Sequence, residues 1–529
     1  MALLCGAGCA SLGPKLLVGP REKGSVRFNL AADPANLNPL FAHQDAASVE
    51  GQLARLAFEP FIDIDQRGRS TPALLAVVPT TQNGGVSADG RTLTYRLRPE
   101  ARWQDGYPVT AADVIFTLKA ILDTKNPVRS HAGYDLIDKV SSPTASTVVF
   151  HLRRAWAPAV QSFFSYGLAP QFVLPKHILE KQQPLASAAF NAAPIGNGPF
   201  RFVSWHRGER LLYVANTRYW RGIARVGRVD IRIVGDPSTN LTLLRSGEVD
   251  FNLIAPAQQK ILSGDRNIAY RYVPTATVAG IAINLRHPPL DDVRVRRAIA
   301  MSIDRKAISD KITLGRYPVT ESAQPQFSWA YDPTAKQPGF APHSADRLLE
   351  KAGWRRGENG IRTKNAKQLT LTYVQFPESQ TGVRAATMIQ SQLQARGIDI
   401  TIKSIGNAQL FMPAAQGGAL ASGSFDLAYV PWPMGSDPDD SLLLACNGAS
   451  NYMRYCNPYV QRLENAALST TSRAARKSVY SKIAHIVAQD VPLIYLFNAN
   501  YIYAYRSQLR GFYPNAFTPT WNAHNWAMK

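Results

Sequence analysis

The sequence contains few cysteines, fewer acidic than basic residues and no long hydrophobic run. Its 529 residues include four cysteines, and no stretch reaches the about 18 consecutive apolar residues that a membrane-spanning helix needs. The 38 acidic residues are outnumbered by 59 lysines and arginines, which gives a formal net charge of +21. The basic residues are scattered, without the dense clusters typical of nucleic-acid-binding proteins. We interpret them as a solvated basic surface, with a preference for anionic surfaces or ligands as the alternative.

The residue patterns of the common enzyme classes are also missing. The sequence has no G-x-S-x-G, no H-E-x-x-H and no phosphate-binding Walker loop. Its nine histidines are scattered, and no two of them are spaced as i and i+4. We therefore predict a protein that is not an enzyme, with no catalytic residues, no metal site and no cofactor.

Three carboxylates, Asp437, Asp439 and Asp440, stand close together in the C-terminal half. They could act as acid–base groups or bind calcium. The D-P-D-D spacing, however, lacks the alternation and the glycine of an EF-hand loop. Capping of the loop is the favoured interpretation because aspartate side chains commonly bond to the backbone of turns.

The alternation of strand and helix patterns predicts an α/β fold. With 45% hydrophobic residues, a chain of this length is expected to form two or three domains. Strands and helices alternate through residues 200–254 and again from residue 278 onward, which predicts two α/β lobes.

Local signals predict several element boundaries. Thr110 and Asp113 form a capping-box pattern at the start of a helix over residues 111–122. The apolar, aromatic C-terminal tail is expected to pack on the first lobe. Further segments are predicted as helices at residues 46–58 and 172–180, and as strands at residues 492–497 and 501–505.

Residues 429–456 (YVPWPMGSDPDDSLLLACNGASNYMRYC) carry the strongest signal for a binding site. A strand over residues 425–430 runs into a proline-stiffened loop, which carries Trp432 and Met434 ahead of the carboxylates. Strand ends that open into irregular loops are where α/β proteins usually hold ligands. We predict that this stretch forms one wall of a ligand cleft.

Cys446 and Cys456 flank a short loop of the same stretch. A zinc site would need further ligands, and no histidine stands nearby in the sequence. A disulfide is therefore favoured over zinc. Because structural disulfides persist in oxidising compartments, the chain is expected outside the cytoplasm.

The first residues also indicate export. Residues 3–10 resemble the end of a secretory hydrophobic segment, and the sequence Gly6-Ala7-Gly8-Cys9 resembles a bacterial lipobox, in which the cysteine becomes lipidated. Gly6 stands where leucine is usual, and no basic segment precedes it. Either the start lies upstream or the signal is atypical. We expect a signal peptide and a lipid anchor at Cys9.

Seven segments in order resemble one protein family. From about residue 24 to residue 528, the chain resembles the extracytoplasmic solute-binding proteins of bacterial ABC importers, family 5, the oligopeptide, dipeptide and nickel-binding group. The matching segments are residues 93–118 (LTYRLRPEARWQDGYPVTAADVIFTL), IGNGPF at 195–200 followed by Trp205, NTRYW at 216–220, SGEVD at 246–250, residues 284–308 (NLRHPPLDDVRVRRAIAMSIDRKAI), ADRLLEKAGW at 345–354, and the region from Asp437-Pro438 to NYMRYCNP.

The resemblance implies a type II periplasmic-binding-protein fold with two α/β lobes, a hinge and an inserted third domain. The hinge crossings are expected near residues 271–275 and 493–497. The expected division is residues 1–23 as signal and linker, residues 24–58, 186–272 and 497–529 as lobe I, residues 59–185 as the inserted domain, and residues 273–496 as lobe II.

The resemblance also implies binding rather than chemistry. The lobes of such proteins close on a solute, and the closed form docks on a membrane permease. The implied ligand is a peptide or peptide-like solute, and the implied partners are the permease subunits with their ATPases. The chain is expected to be a monomer in the periplasm or on the outer face of the membrane, without a nucleic-acid partner.

One departure from the family pattern concerns the ligand. Peptide binders usually carry an aspartate, which pairs with the ligand's α-ammonium, three residues before the acidic residue of an acidic-Pro pair. Counting back from Asp437 puts Met434 there, and a buried charge without a partner is costly. Either Asp437 or Asp439 takes this role, or the ligand has no free amino terminus. The predicted cleft contacts are Trp432, Met434, Asp437, Arg384, Asn36, Asn38, Gly280 and Asn284.

Other functions stay open beside the peptide importer. Within the family, the ligand could be a nickel chelate, an opine, a sugar, or an N-blocked or modified peptide. A ligand-sensing regulator with the same fold would add an N-terminal winged-helix segment, and too few residues precede the first strand for one. An enzyme is disfavoured by the missing motifs.

Overall fold

The computed structural model describes residues 24–41, 48–128, 130–166 and 170–529. Ten strands of these residues form one mixed sheet, so the predicted α/β class is confirmed. The expected lipidation site Cys9 and the expected signal segment lie outside the described residues. In order across the sheet, the strands are Asp399–Ser404, Thr370–Gln375, Leu427–Pro433, Ile268–Ile283, Leu493–Arg506, Phe251–Ile254, Ser25–Leu30, Arg228–Ile233, Arg210–Ala215 and Phe200–His206.

Two long strands, Ile268–Ile283 and Leu493–Arg506, join the two halves of this sheet. The first half contains the strands from Phe251–Ile254 to Phe200–His206, and the second half contains Asp399–Ser404, Thr370–Gln375 and Leu427–Pro433. Residues 277–283 of the strand Ile268–Ile283 pair with Leu427–Pro433 on one side, whereas the strand Leu493–Arg506 pairs with Phe251–Ile254 through its C-terminal part. The ladder between the two long strands is irregular from Pro274 to Val278. There the Asn498 side chain donates to the carbonyls of Thr275 and Thr277, at 3.1 and 2.8 Å. The regular pairing of the two long strands is therefore interrupted at these residues.

This interruption lies near both of the expected hinge crossings. The first expected crossing, residues 271–275, ends where the irregular ladder begins. The second expectation, residues 493–497, lies inside the half of the sheet that pairs with residues 279–282. In that strand the irregular pairing falls a few residues later, at Asn498 to Asn500.

Residues 59–185, which are expected to form the inserted domain and are called the inserted region below, carry their own small sheets. Thr92–Arg96, Thr147–Leu152 and Ile137–Thr144 form a three-stranded sheet in that order, and Ile62–Ile64 pairs with Ser70–Pro72. The capping box predicted at the helix Ala111–Leu122 is confirmed, since the backbone N–H of Thr110 donates to the Asp113 carboxylate at 2.8 Å. The remaining short strands are Arg355–Arg356, Arg362–Lys364 and Lys367–Gln368, and Leu509–Arg510 with Ala527–Met528.

None of the described helices has both the length and the apolar content that a membrane crossing requires. Their starts follow ordinary capping chemistry. Asp292, for example, accepts the backbone N–H of Arg294 at 2.8 Å. The helices are Val49–Ala57, Ala111–Leu122, Ala159–Gln161, Lys176–Leu179, Pro237–Ser246, Pro256–Leu262, Val293–Ser302, Arg305–Thr313, Pro342–Lys351, Gln380–Gln394, Asn407–Phe411, Ala419–Ser422, Ser441–Leu444, Pro458–Ser469 and Arg473–Asp490.

Two local predictions need correction. The helix predicted over residues 172–180 forms only at Lys176–Leu179, because Pro175 disfavours helical geometry in the residue before it. The strands predicted at residues 492–497 and 501–505 are parts of the single strand Leu493–Arg506. Of the helix predicted over residues 46–58, the structure describes Val49–Ala57 as helical.

The C-terminal tail packs against the first half of the sheet. The ring of Phe512 stacks on that of Phe251 with centroids 4.5 Å apart, and Trp526 meets Phe251 edge-on at 5.5 Å. Trp526 is fully buried. The prediction that the tail packs on this part of the molecule is therefore confirmed.

Candidate functional site

The strand Leu427–Pro433 leads directly to the point where the two halves of the sheet meet. It pairs with residues 277–283, and the backbone N–H of Met434 then donates to the carbonyl of Ala276 at 2.7 Å. Because Ala276 lies within the irregular ladder of the long strands, residues 434–440 leave the sheet at the boundary of its two halves. We refer to these residues as the cleft loop.

A cavity of about 260 Å³ separates the cleft loop from the inserted region. One wall belongs to residues 130–162, and the other belongs to the cleft loop, the helix that follows it and Leu468. The walls combine apolar and polar side chains. The lining includes Tyr134, Trp156 and Leu442 on the apolar side, and Arg154, Asp437 and Asp439 on the polar side.

Gly133 shapes the wall of the inserted region. Its φ of +84° is a conformation that side chains rarely adopt, and an added Cβ would meet the ring of Trp156 at 2.0 Å. The indole of Trp156 can therefore lie across the backbone of residue 133. Tyr134 beside it is buried and accepts the backbone N–H of Phe164 at 2.7 Å. This wall is fixed by backbone geometry as well as by packing.

The two walls also touch each other directly. The backbone N–H and the hydroxyl of Ser436 both donate to the carbonyl of Tyr166, at 3.0 and 2.7 Å. The backbone N–H of Ala157 donates to the carbonyl of Leu468 at 2.6 Å. The structure thus has the inserted region and the second half of the sheet in contact around the cavity.

Met434 lies at a second, narrower cavity of about 20 Å³. Ile64, Gly68 and Phe517 line one side of this cavity, and residues 324–329 and 434–438 line the other. Met434 is 8% exposed. The thioether therefore faces a space with room for about one water molecule, beside the larger cavity.

Asp437 already has a cationic partner. Its carboxylate accepts both terminal nitrogens of Arg476, one of them at 2.8 Å, and both side chains are 6% exposed. Arg476 also donates to the hydroxyl of Tyr480 at 3.1 Å. Burial lowers the pKa of Arg476, but Asp437 outweighs it and raises that pKa above its usual value. The charge of Asp437 is neutralised within the protein.

Asp439 differs from Asp437 because its carboxylate bonds to the neutral residue Ser441 and not to an arginine. Its carboxylate accepts the N–H of Ser441 at 3.0 Å, and its own N–H donates to Asp437 at 3.2 Å. Burial raises the pKa of Asp439, and the neighbouring Asp437 carboxylate adds to that rise. Asp439 is thus a half-buried acid that lines the larger cavity and favours a cation or a proton beside it.

Six predicted contacts lie outside the lining of these two cavities, as far as the described residues go. Asn38 is fully buried and donates to the Asn191 side chain at 2.9 Å. Asn36 accepts the backbone N–H of Asn38 at 2.7 Å, and Asn284 donates to the carbonyls of Gly423 and Phe425, both at 3.0 Å. These three amides have hydrogen-bond partners within the protein.

The other three predicted contacts are Gly280, Trp432 and Arg384. Gly280 lies in mid-sheet, where an added Cβ would come within 2.6 Å of the Ile494 carbonyl. Trp432 is buried, and its indole N–H donates to the Ser450 carbonyl at 3.4 Å. Arg384 is exposed on the helix Gln380–Gln394. Their roles toward a ligand remain proposals.

The disulfide prediction is confirmed. Cys446 and Cys456 are joined with Cα atoms 4.4 Å apart. The backbone N–H of Cys446 donates to Gln461 at 2.8 Å, which ties the bridge to the helix Pro458–Ser469. Within the described parts of the chain, histidines, cysteines and carboxylates do not form a group of three that could hold a metal ion.

Sequence reasoning missed the wall from the inserted region and residues 324–329. Trp156 follows the strand Thr147–Leu152 by a few residues, so the same strand-end argument that singled out the cleft loop applies to it. Residues 324–329 lie in a long segment without regular structure. No periodic pattern marked these residues.

The fold and this site are those of an α/β protein with a cavity beside the boundary between the two halves of its sheet, an arrangement that suits the binding of a solute. The family model for bacterial extracellular solute-binding proteins, family 5 (its middle part), matches residues 77–454. The chain belongs to this family.

Individual relatives agree with this assignment. The chain is 27% identical to Protein XP55 of Streptomyces lividans over 92% of this chain and 85% of that one. It is 22% identical to the oligopeptide-binding protein AppA of Bacillus subtilis, over 96% of this chain and 92% of that one. The solved structure of NikZ from Campylobacter jejuni in complex with Ni(L-His) has a TM-score of 0.79, at 23% identity, and covers 96% of this chain and 100% of that one.

Proposed function

We propose that this protein is the substrate-binding component of an ABC importer, and that it captures a peptide or peptide-like solute. The observation that carries the proposal is the cavity of about 260 Å³ between the inserted region and the cleft loop, in a chain of family 5. The solute would reach a membrane permease with its ATPases. We place the protein outside the cytoplasm, with Cys9 as its expected lipid anchor.

The dimensions of the cavity favour a small solute. Pockets for drug-sized ligands usually enclose about 300–1,000 Å³, and this cavity is slightly smaller. Its apolar side, with Tyr134, Trp156 and Leu442, suits one apolar side chain, and its polar side suits a charged main-chain end. A dipeptide or tripeptide fits this description better than a long peptide.

We assign the cationic end of the solute to Asp439. Met434 offers no charge, and the charge of Asp437 is bound by Arg476. Asp439 lines the cavity, and among the described contacts its carboxylate accepts hydrogen bonds from the neutral residue Ser441 and not from a cation. A ligand ammonium would therefore stabilise the ionised form of Asp439.

A non-peptide ligand is the second candidate. Met434 occupies the position where the family pattern leads us to expect a carboxylate, and NikZ, with a similar fold, was solved with Ni(L-His). An N-blocked peptide, an opine or a sugar would need no carboxylate partner for an ammonium. This candidate predicts binding that does not depend on Asp439.

Calorimetry and thermal-shift assays with free and N-acetylated tripeptides separate the two candidates. We expect free-amine peptides to bind, and Asp439→Asn to weaken them by about 10- to 100-fold, because a hydrogen bond to a charged group contributes roughly 1.5–3 kcal/mol. Acetylated peptides should be unaffected by this variant. The matched control is Asp310→Asn, which changes an exposed carboxylate on the helix Arg305–Thr313.

Mass spectrometry of solute co-purified from the native host provides an independent check. A bound peptide supports the proposal, and a bound chelate or sugar supports the second candidate. If free-amine peptides bind the wild type tightly and Asp439→Asn binds them equally well, the assignment of Asp439 is wrong. Turnover of a bound peptide would contradict the binding-protein proposal itself.

A further inference from the structure

Two buried carboxyl groups meet where the end of the cleft loop packs against the helix Pro458–Ser469. Asp440 is 4% exposed and precedes the short helix Ser441–Leu444. Glu464, on the helix Pro458–Ser469, is 0% exposed. The Glu464 carboxyl contacts Asp440 at hydrogen-bonding range. Because charged side chains are almost never fully buried without a partner, the surroundings of this pair need an explanation.

The hydrogen bonds of the pair are incomplete in the described structure. One Asp440 oxygen accepts the Gln324 side-chain amide at 3.0 Å, while the other oxygen has no donor. Neither oxygen of Glu464 has a donor. Two ionised carboxylates cannot bond to each other because both only accept hydrogen bonds, whereas a protonated carboxyl can donate to a carboxylate. A single proton between them would supply the missing donor.

The neighbouring charges do not compensate the pair. Asp437 and Asp439 are acidic, and the basic side chain that faces this group, Arg476, is bound by Asp437. Tyr480 and Tyr495 also face it, and burial raises the pKa of both phenols, so they stay neutral. The carboxyl groups therefore outnumber the cations around Asp440.

The pKa directions agree with this geometry. Burial raises the pKa of Asp440 to about 7, and the nearby Asp439 carboxylate adds to the rise. Burial likewise raises the pKa of Glu464 well above its usual value, and the carboxylates of Asp440 and Asp439 add to it. The pair thus favours a bound proton near neutral pH.

We propose that Asp440 and Glu464 form a proton-binding site that holds the cleft loop against the helix Pro458–Ser469, and that loss of this proton loosens the wall of the cavity. Gln324 transmits the effect, because its amide donates both to Asp440 and to the carbonyl of Pro438 in the cleft loop, at 3.0 and 2.7 Å. The proposal does not depend on the identity of the solute.

The sign of the pH dependence follows from the raised pKa values. In the unfolded chain both groups ionise at their ordinary pKa values, so at neutral pH the folded state binds more protons than the unfolded state. The contribution of the pair to stability is fully present below the unfolded pKa values and is lost as the pH rises through the folded ones. Stability should therefore fall toward alkaline pH.

Melting temperatures of the ligand-free protein test the proposal with Glu464→Gln. The amide is neutral at every pH and can still donate to Asp440. We expect the melting temperature of the wild type to fall relative to that of Glu464→Gln between about pH 5 and about pH 8. The control, Glu350→Gln, changes a carboxylate that is 59% exposed, and its curve should stay parallel to the wild type. Parallel curves for wild type and Glu464→Gln would overturn the proposal.

Two measurements keep the proposal testable if Glu464→Gln does not fold. Infrared spectra of the wild type should show a protonated carboxyl band near neutral pH that disappears at alkaline pH, and a spectrum without this band overturns the proposal. Hydrogen exchange of residues 434–445, corrected for the intrinsic rate, should then accelerate as the band is lost. Unchanged protection of these residues would refute the loosening of the wall.

Discussion

Two groups of buried charges occur in this molecule, and they differ in balance. In the first, Arg55 bonds to Glu59 at 2.9 Å and to Asp63 at 2.8 Å, with all three side chains 0% exposed. Tyr219 donates to Glu59 at 2.6 Å, and Arg221 lies 3.9 Å from it. Two basic and two acidic groups thus face each other, far in sequence from the cleft loop.

The second group, formed by the cleft loop and the helices Pro458–Ser469 and Arg473–Asp490, is unbalanced. Arg476 binds Asp437, while three further carboxyl groups, Asp439, Asp440 and Glu464, lie close by. In the first group, Arg55 and Arg221 outweigh burial and lower the pKa of Glu59, while burial still raises the pKa of Asp63. In the second group, burial raises the pKa of all three of these further carboxyl groups.

The difference separates a structural role from a functional one. In a balanced buried group the acidic and basic side chains are partners for one another, so we expect its removal to affect stability rather than binding. An acidic excess beside a cavity needs a proton or a ligand cation to complete it, so it can respond to pH and to solute. Perturbed titratable groups in a cleft are accordingly candidates for function.

Removing the cation of the balanced group should have the largest effect. Arg55→Met leaves Glu59 and Asp63 buried without their main partner, and breaking such a group costs about 3–5 kcal/mol. We expect the free energy of unfolding, measured by urea denaturation, to fall by this amount. Solute affinity per folded molecule should stay unchanged, because none of these residues lines either cavity.

The matched control for Arg55→Met is Arg69→Met. Arg69 pairs with Asp65, but its side chain is 67% exposed, and exposed ion pairs contribute about 0–1 kcal/mol. If both variants lower stability equally, burial does not distinguish the two ion pairs. In that case the burial of Arg55 does not make its ion pairs more important for the free energy of unfolding than those of Arg69.

Breaking the disulfide should have the next largest effect. The bond closes a loop with a sequence separation of 10 beside the unbalanced group, and the loop-entropy estimate for this length is about 2–3 kcal/mol. We expect the double variant Cys446→Ser with Cys456→Ser to lose this amount in urea denaturation. The wild type should lose a similar amount when a reductant is added, whereas the double variant should not respond to it.

The sequence predicted those parts of the site that depend on neighbouring residues. The strand that ends at the cleft loop, the capping box of Thr110 and Asp113, and the pairing of Cys446 with Cys456 all follow from short-range patterns. The resemblance of seven segments to family 5 fixed the fold class. These features need no knowledge of distant partners.

The remaining features depend on contacts between distant residues. Asp437 is neutralised by Arg476, 39 positions away, and the wall opposite the cleft loop comes from the inserted region. No local pattern indicates which carboxylate is paired and which faces a cavity. For the same reason, the amide of Asn284 was predicted as a ligand contact, although its donors are directed to carbonyls of its own half.

The smallest expected effect concerns the contact between the two walls. The Ser436 hydroxyl donates to the Tyr166 carbonyl at 2.7 Å, and the Ser436 backbone N–H bonds to the same oxygen at 3.0 Å. Ser436→Ala removes the first bond and keeps the second, so we expect a loss of about 0.5–1.5 kcal/mol in the closed arrangement. Solute affinity measured by calorimetry should fall by up to about tenfold.

Because this hydroxyl bond joins the inserted region to the cleft loop, it should stabilise the closed protein with little effect on the folding of either part. Unfolding in urea should therefore change less in Ser436→Ala than solute affinity does. Ser187→Ala is the matched control, since this exposed hydroxyl bonds to the nearby Pro184 carbonyl at 3.2 Å. If Ser436→Ala binds solute as tightly as this control, the hydroxyl bond between the walls does not contribute to closure, and closure depends on the backbone contacts and on the solute.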